Sequence, residues 1–274
     1  MQIKKTSALT GVSLASIGLL SGCVQFVSVK DMARDKPGYL ATHFTIESLP
    51  AGVRDKLPAA GAHTLPFKML TMSGTLTGHV GAVAIKSDFK ATLINAQDTG
   101  LVQQVFETSA NDVPSGATFS LSYLNMYSLK QETASYSQTT ALIPFIVHDS
   151  DNNQFAFDAP KEDTTYTTTF KIGTTVQLVN FRTTVSSCHT GRYYPASQMS
   201  AGLTGRAIDL DCQDTRDGII QNKTRRTYLT EYGVGLSRSL ATSTAKMDWS
   251  YSDFQKDGEK TAIRFATPAS DKPI

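Results

Sequence analysis

The sharpest chemical pattern in the 274-residue chain is Arg206-Ala207-Ile208-Asp209-Leu210-Asp211-Cys212. On an extended strand Ile208, Leu210 and Cys212 share one face. Asp209 and Asp211 share the other, about 6–7 Å apart. Two carboxylates at that spacing could hold a cation or divide acid and base roles, and Asp214 and Asp217 follow closely enough to add calcium ligands. The simpler reading turns Cys212 inward and leaves the aspartates to water, so Asp209 and Asp211 are weak metal candidates only. A second acidic run, His148-Asp149-Ser150-Asp151-Asn152-Asn153-Gln154, opens like a calcium loop. It has Gln154 where that loop needs glycine and Pro160 where it needs glutamate, so a hydrophilic hairpin turn is expected.

The five histidines, at 43, 63, 79, 148 and 189, form no HExxH pair and no close cluster. The chain has no GxSxG elbow, Walker loop or dinucleotide fingerprint. Thr75-Leu76-Thr77-Gly78-His79-Val80-Gly81 is glycine-rich but lacks the phosphate-loop lysine, and reads as a turn. A triad drawn from distant positions leaves no local trace, because triads are defined by geometry. No catalytic residue and no cofactor are therefore assigned, and a non-enzymatic role is expected. Tyr193, Tyr194, Tyr228, Tyr232, Trp249, Tyr251 and Phe254 concentrate aromatic surface in the second half. Such residues line pockets and interfaces; half-buried strand packing is the plainer account.

The elements that must position these side chains read as mostly β. Phe44–Glu47, Phe119–Tyr123 and Tyr166–Ile172 alternate apolar and polar residues, with Val176 and Leu178 resuming the pattern after Gly173. Further strands are expected at Val80–Lys86, Phe89–Asn95, Leu101–Thr108, Ser135–His148 (interrupted by Pro144), Phe155–Phe157 and Trp249–Phe254. Ser87-Asp88, Asp112–Gly116 and Asp149–Asn153 are turn-like. Ala51–Leu57 and Pro195–Leu203 suit short helices, and Tyr228–Leu236 is ambiguous. The expected fold is mainly β, antiparallel sheets in a sandwich or half-barrel-like arrangement, with one or two short helices.

The first residues address location. Lys4 and Lys5 precede an uncharged run, Thr6 to Leu20, rich in Ala, Leu, Ile, Val, Gly and Ser. A charged start, a short apolar core and small residues at its end describe an export signal. The run is shorter than the roughly 20 residues of a spanning helix, so a membrane anchor or buried helix is the lesser reading. Leu20-Ser21-Gly22-Cys23 resembles the lipobox of bacterial lipoprotein precursors. That resemblance covers only the first 23 residues. It implies diacylglycerol on the Cys23 thiol, cleavage before Cys23, and acylation of the new amine. Two or more acyl chains give stable anchoring where one gives reversible binding. Val24, in place of an aspartate, implies outer-membrane sorting in a Gram-negative host.

Removing residues 1–22 takes two of the 26 basic residues and none of the 24 acidic ones, leaving a net charge of zero. Without a basic excess nucleic acid is not an expected partner, and the pair Arg225-Arg226 reads as solvated surface. The remaining thiols, Cys188 and Cys212, enter an oxidising compartment and are expected to form a disulfide. A metal site of Cys188, His189 and Cys212 lacks the CxxC spacing of structural zinc. The expected organisation is a signal peptide at 1–22 and a lipidated tether at 23–38. β-rich regions follow at 39–160 and 161–266, separate or forming one domain, with a tail at 267–274. The functional expectation is an envelope lipoprotein with a non-catalytic binding or structural role at the membrane surface. Its partners would be the membrane, through the lipid, and an envelope protein or hydrophobic ligand. A periplasmic carrier of lipid or another hydrophobic ligand is the alternative, and an envelope hydrolase comes third.

Overall fold

Short left-handed turns set the topology. Asn111 and Asp112 have φ of 51° and 62°, and Asp217 and Gly218 have 51° and 76°. Positive φ at both central positions is what a two-residue hairpin turn demands, and it joins neighbouring strands antiparallel. The structure is a computed structural model that describes residues 27–151 and 159–260.

The strands follow one another in chain order: β1 (Met69–Val80), β2 (Val83–Ala96), β3 (Leu101–Ala110), β4 (Val113–Tyr123), β5 (Tyr127–Ser135) and β6 (Phe145–Ser150). β7 (Thr165–Thr174), β8 (Arg182–Pro195), β9 (Arg206–Arg216), β10 (Ile219–Leu229), β11 (Val234–Thr242), β12 (Ala245–Lys256) and the two-residue β13 (Glu259–Lys260) complete the sheet. Each pairs antiparallel with the next, and β1 also pairs with β12. The mainly β expectation therefore holds, and the sheet closes into a twelve-strand barrel instead of a sandwich or half-barrel. β6 and β7, on either side of residue 160, belong to the same sheet.

Closure depends on Gly74. It sits at a bulge in the β1–β12 ladder, between the pairs Ser73–Asp253 and Gly74–Tyr251. A Cβ there would fall 1.9 Å from the Ser250 carbonyl oxygen, so a side chain cannot be accommodated without moving backbone. Two joints are weaker. β5 and β6 share the pairs Lys130–Ile146 and Gln131–Phe145, and β11 and β12 share three pairs. At the β11 joint the β4–β5 turn fills in: Gly235 N–H donates to Leu124 O at 2.9 Å and Asn125 Nδ2 donates to Gly235 O at 2.8 Å.

Alternation sorts the wall into two faces. Met72, Ala91 and Phe106 stand opposite one another inside, as do Gln104, Ser120 and Gln131. The outer face carries a row in register across seven strands: His189, Asp211, Arg225, Ser239, Asp248, Thr77 and Lys86. Along this row the wall is polar.

The outer face of β3–β5 is covered instead by the amino end of the body. α1 (Val29–Arg34) and α2 (Lys36–His43) lie across it. The Asp35 side chain caps α2 by accepting from Gly38 N–H at 3.0 Å. Phe44 stacks on Phe119 with centroids 6.1 Å apart, Lys36 pairs with Glu107 at 2.8 Å, and Gln103 Nε2 donates to Phe44 O at 3.0 Å. α3 (Ala51–Arg54) docks on β6, where Lys56 reaches Asp149 at 2.7 Å.

Several sequence expectations are corrected. From Val29 the supposed tether is helix packed on the barrel, because Val29, Met32 and Leu40 bury apolar surface there. Phe44–Glu47 is a helix end followed by a 3-10 turn at Ile46–Ser48, because Phe44 caps α2 and buries against Phe119. Val80–Lys86 spans a hairpin, since Gly81 adopts φ 56°. Ser87-Asp88 lies within β2, where both faces tolerate polar side chains. Ser135–His148 is not one strand, and Val176 and Leu178 lie in the β7–β8 connection. Pro195 ends β8, and only Ala196–Gln198 turns helically. Tyr228–Leu236 is the β10–β11 hairpin. The signal peptide at 1–22, Cys23, Phe155–Phe157 and the tail at 267–274 lie outside the described residues.

Candidate functional site

The inward face encloses a cavity of about 290 Å³ lined from β1–β5 on one side and β10–β12 on the other. Its apolar wall is aromatic and thioether: Met72, Phe106, Trp249 and Tyr251. Phe89 ties the wall together, stacked on Phe106 at 5.1 Å and edge-on to Tyr251 at 5.3 Å. The Tyr251 hydroxyl donates to Ser237 O at 3.0 Å, and burial pushes its pKa up. Hydroxyls and amides continue the lining beside the apolar wall, with Thr118 directly across the ladder from Phe106: Gln104, Thr118, Ser120, Ser122, Ser128 and Gln131. Ser128 and Gln131 are exposed, so the cavity opens to solvent along β5.

One charged side chain lines this cavity. Arg226 pairs in the ladder with Leu210 and Ser237, both inward, while Arg225 points outward and grips Asp211 with two hydrogen bonds, at 2.8 and 3.1 Å. Alternation alone separates the two arginines. The expectation of solvated surface holds for Arg225 and is corrected for Arg226, which the barrel encloses. Burial works against its charge, while Asp214 and Tyr127 act in its favour through space. Its Nε is buried with no hydrogen-bond partner. A guanidinium stays protonated under such conditions. Burial pushes the neighbouring Tyr127 phenol up to about 12.

Asp209 and Asp211 lie on the outer face, on one side of β9 as expected. Asp209 Oδ1 accepts hydrogen bonds from Tyr194 OH at 2.8 Å and Thr227 Oγ1 at 2.6 Å. Asp211 belongs to Arg225. The carboxylates thus fasten strands. Among the described residues no group of three or more His, Cys, Asp or Glu side chains could hold a metal ion.

Cys188 and Cys212 form the expected disulfide, with both residues buried and directly opposite across β8 and β9. In the acidic run, Asp149 pairs with Lys56 and Lys171, and Asp151 accepts from Thr168 Oγ1 and Thr169 N–H. Both aspartates therefore pin β6 to its neighbours. The histidines are dispersed: His43 stacks on Tyr39, His63 meets Tyr123 edge-on, His148 stacks on Phe181, and His189 bonds Thr165. No helix among the described residues is long and apolar enough to cross a membrane. Reading alternation inward from β12 could have joined Trp249 and Tyr251; no linear motif ties them to Arg226.

No protein-family model matches the chain, and no curated protein matches it. Among solved structures it is similar to a beta-barrel-like protein of the domain of unknown function DUF1849 from Brucella abortus. That match has 8% identity and a TM-score of 0.40, covering 70% of this chain and 99% of that one. It is also similar to a DUF1329 family protein from Desulfovibrio piger, at 7% identity and a TM-score of 0.35, covering 70% and 87%. At these scores the likeness carries no argument about function.

Proposed function

We propose that this chain is a lipid-anchored bacterial envelope protein whose barrel binds a hydrophobic or amphiphilic ligand without transforming it. The lumen carries the binding half of this reading. The barrel wall surrounds about 290 Å³ lined by both apolar and polar side chains. Barrels of about eight strands already leave room for a small ligand, and larger ones leave more. The lining offers hydroxyls, amides and one guanidinium, groups that orient a ligand.

The anchoring half is supported by Leu20-Ser21-Gly22-Cys23 and by the place where the body begins. Val27 O accepts a 3.1 Å hydrogen bond from Ala141 N–H. The four residue-to-residue steps from Cys23 to Val27 reach at most about 14 Å. Val27 lines an outer groove with the exposed Leu142 and Val176, so an apolar edge lies beside the attachment point. The body would thus work within a few residues of a membrane surface, the outer membrane in a Gram-negative host.

A carrier role is the second reading, favoured by the solvent opening at Ser128 and Gln131 through which a ligand could load and leave. Mass spectrometry of an organic extract from purified protein tests the binding half: a bound amphiphile is expected, and a lumen that neither retains nor takes up one defeats it. Cys23→Ser tests the anchoring half. It should leave an unprocessed precursor, and fractionation and migration like the wild type would overturn that reading.

A further inference from the structure

The cavity lining carries one charged side chain. Arg226 projects from β10, enclosed by the wall yet with part of its surface open to the cavity. Its Nε has no partner, and Asp214, which acts on it through space, makes no ion pair with it. A buried donor left unpaired costs about 1–3 kcal/mol, more when charged. Nε itself is closed off, so a ligand meets the part of the guanidinium that is open to the cavity, and there an anion is the acceptor that bonds most strongly. Beyond Arg226 the same space is bounded by Met72, Phe106, Trp249 and Tyr251. A cation at one point and an apolar wall around the rest together describe an amphiphile with an anionic head.

We propose that the lumen binds a single-chain amphiphile head-first on Arg226, through a carboxylate or a phosphate monoester, with the alkyl chain along the Trp249–Tyr251 wall. This rests on the lumen being the binding site and names the ligand class it takes. The cavity of about 290 Å³ limits the ligand to one chain, because enclosed small-ligand pockets run from roughly 300 to 1,000 Å³. Asp214 repels a second negative charge, so a headgroup of low charge is favoured.

Trp249 is the chain's one tryptophan, so its emission reports on this cavity alone. Purified protein is titrated with dodecanoate, dodecyl phosphate, dodecanol and dodecyltrimethylammonium. Dodecanoate and dodecyl phosphate should change Trp249 emission saturably and bind at least about tenfold tighter than dodecanol, the ratio that one charge-assisted bond supplies. The cation should bind weakest. Arg226→Gln should bring dodecanoate and dodecanol within about twofold, and Arg226→Lys should keep much of the preference. Arg225→Gln, on the outer face, should change nothing. Equal affinity for dodecanoate and dodecanol, or a preference that survives Arg226→Gln, overturns the anion assignment and leaves lumen binding standing. Binding of none of the four defeats both. If Arg226→Gln does not fold, the order anion, neutral, cation in the wild type decides.

Discussion

The Tyr39 hydroxyl donates a 2.7 Å hydrogen bond to Oε2 of Glu132, a residue 4% exposed on the outer face of β5. It joins α2 to the barrel wall at the one point where that wall buries an acid beneath the helices. Lys130 assists from two residues away, donating to His43 O at 2.6 Å. Tyr39→Phe leaves the carboxylate short of a donor and should cost about 1–3 kcal/mol. Urea unfolding measures this; an unchanged midpoint would show that the helices are held by apolar contact alone.

Glu132 also makes stability depend on pH. Burial raises its carboxyl pKa, with Tyr39 and Lys130 opposing. The folded protein therefore holds that proton more tightly than the unfolded chain. The stability it contributes is fully present below the ordinary carboxylate pKa and is lost as pH climbs through the raised folded value. Thermal midpoints of the wild type should fall relative to Glu132→Gln across that window. Parallel profiles for the two proteins would remove Glu132 as the cause.

The disulfide joins residues 24 apart in sequence. Constraining the unfolded chain over such a loop contributes about 3 kcal/mol. Replacing Cys188 and Cys212 together by alanine should lower the urea midpoint accordingly, with the barrel still formed. Both cysteines are buried, so the native protein should resist dithiothreitol until denaturant is added. Rapid reduction under native conditions would contradict their placement.

The two aspartates of β9 should separate sharply. Asp209 receives two hydroxyl donors that tie β8, β9 and β10 together, and Asp209→Ala should cost about 2 kcal/mol or more. The Asp211–Arg225 pair is more than half exposed on both sides, so Asp211→Ala should cost under about 1 kcal/mol. Calcium should leave the melting temperature of the wild type unchanged. A calcium-dependent rise abolished by Asp211→Ala would restore the cation reading.

Gly74→Val tests barrel closure. Its side chain meets the Ser250 carbonyl across the β1–β12 ladder, and the variant should lose at least about 3 kcal/mol or fail to accumulate folded. Gly202, where an added Cβ would meet nothing within 4 Å, is the control, and Gly202→Ala should be near neutral. Equal tolerance at both sites would mean that the ladder does not approach closely at Gly74.

How much of this was legible in the sequence follows from what alternation reports. Phe119–Tyr123 and Tyr166–Ile172 declared themselves because one face of each strand is apolar. The turn read over Thr75–Gly81 was misplaced, because residues up to Val80 belong to β1 and the chain reverses only at Gly81, inside the stretch Val80–Lys86 expected as strand. Closure was also hidden, since β1 and β12 are distant in sequence and each looks like an ordinary strand. The disulfide followed from residue count and the inward turn of Cys212 from alternation, but that the two cysteines stand directly opposite needed the register Cys188–Cys212. Arg226 was missed because two adjacent arginines look alike until the sheet has an inside. A strand already known to be in a barrel must send one of any adjacent pair inward, and that rule would have found it.

The amino end of the body is fastened where the barrel is thinnest. Val29 N–H donates to Thr139 O, Ala141 N–H donates to Val27 O, and Ser28 bridges Thr140. Residues 139–141 lie in the connection between β5 and β6, the neighbours that share only two ladder pairs. Mechanical load on the amino end of the body is therefore delivered to one bridge of two hydrogen bonds, and through it to a seam with little backbone pairing. Tension applied there would part β5 from β6, beside the Ser128 and Gln131 mouth of the lumen, before it strained the long β1–β12 ladder. Pulling direction, not only pulling strength, would then decide whether this barrel gapes or holds.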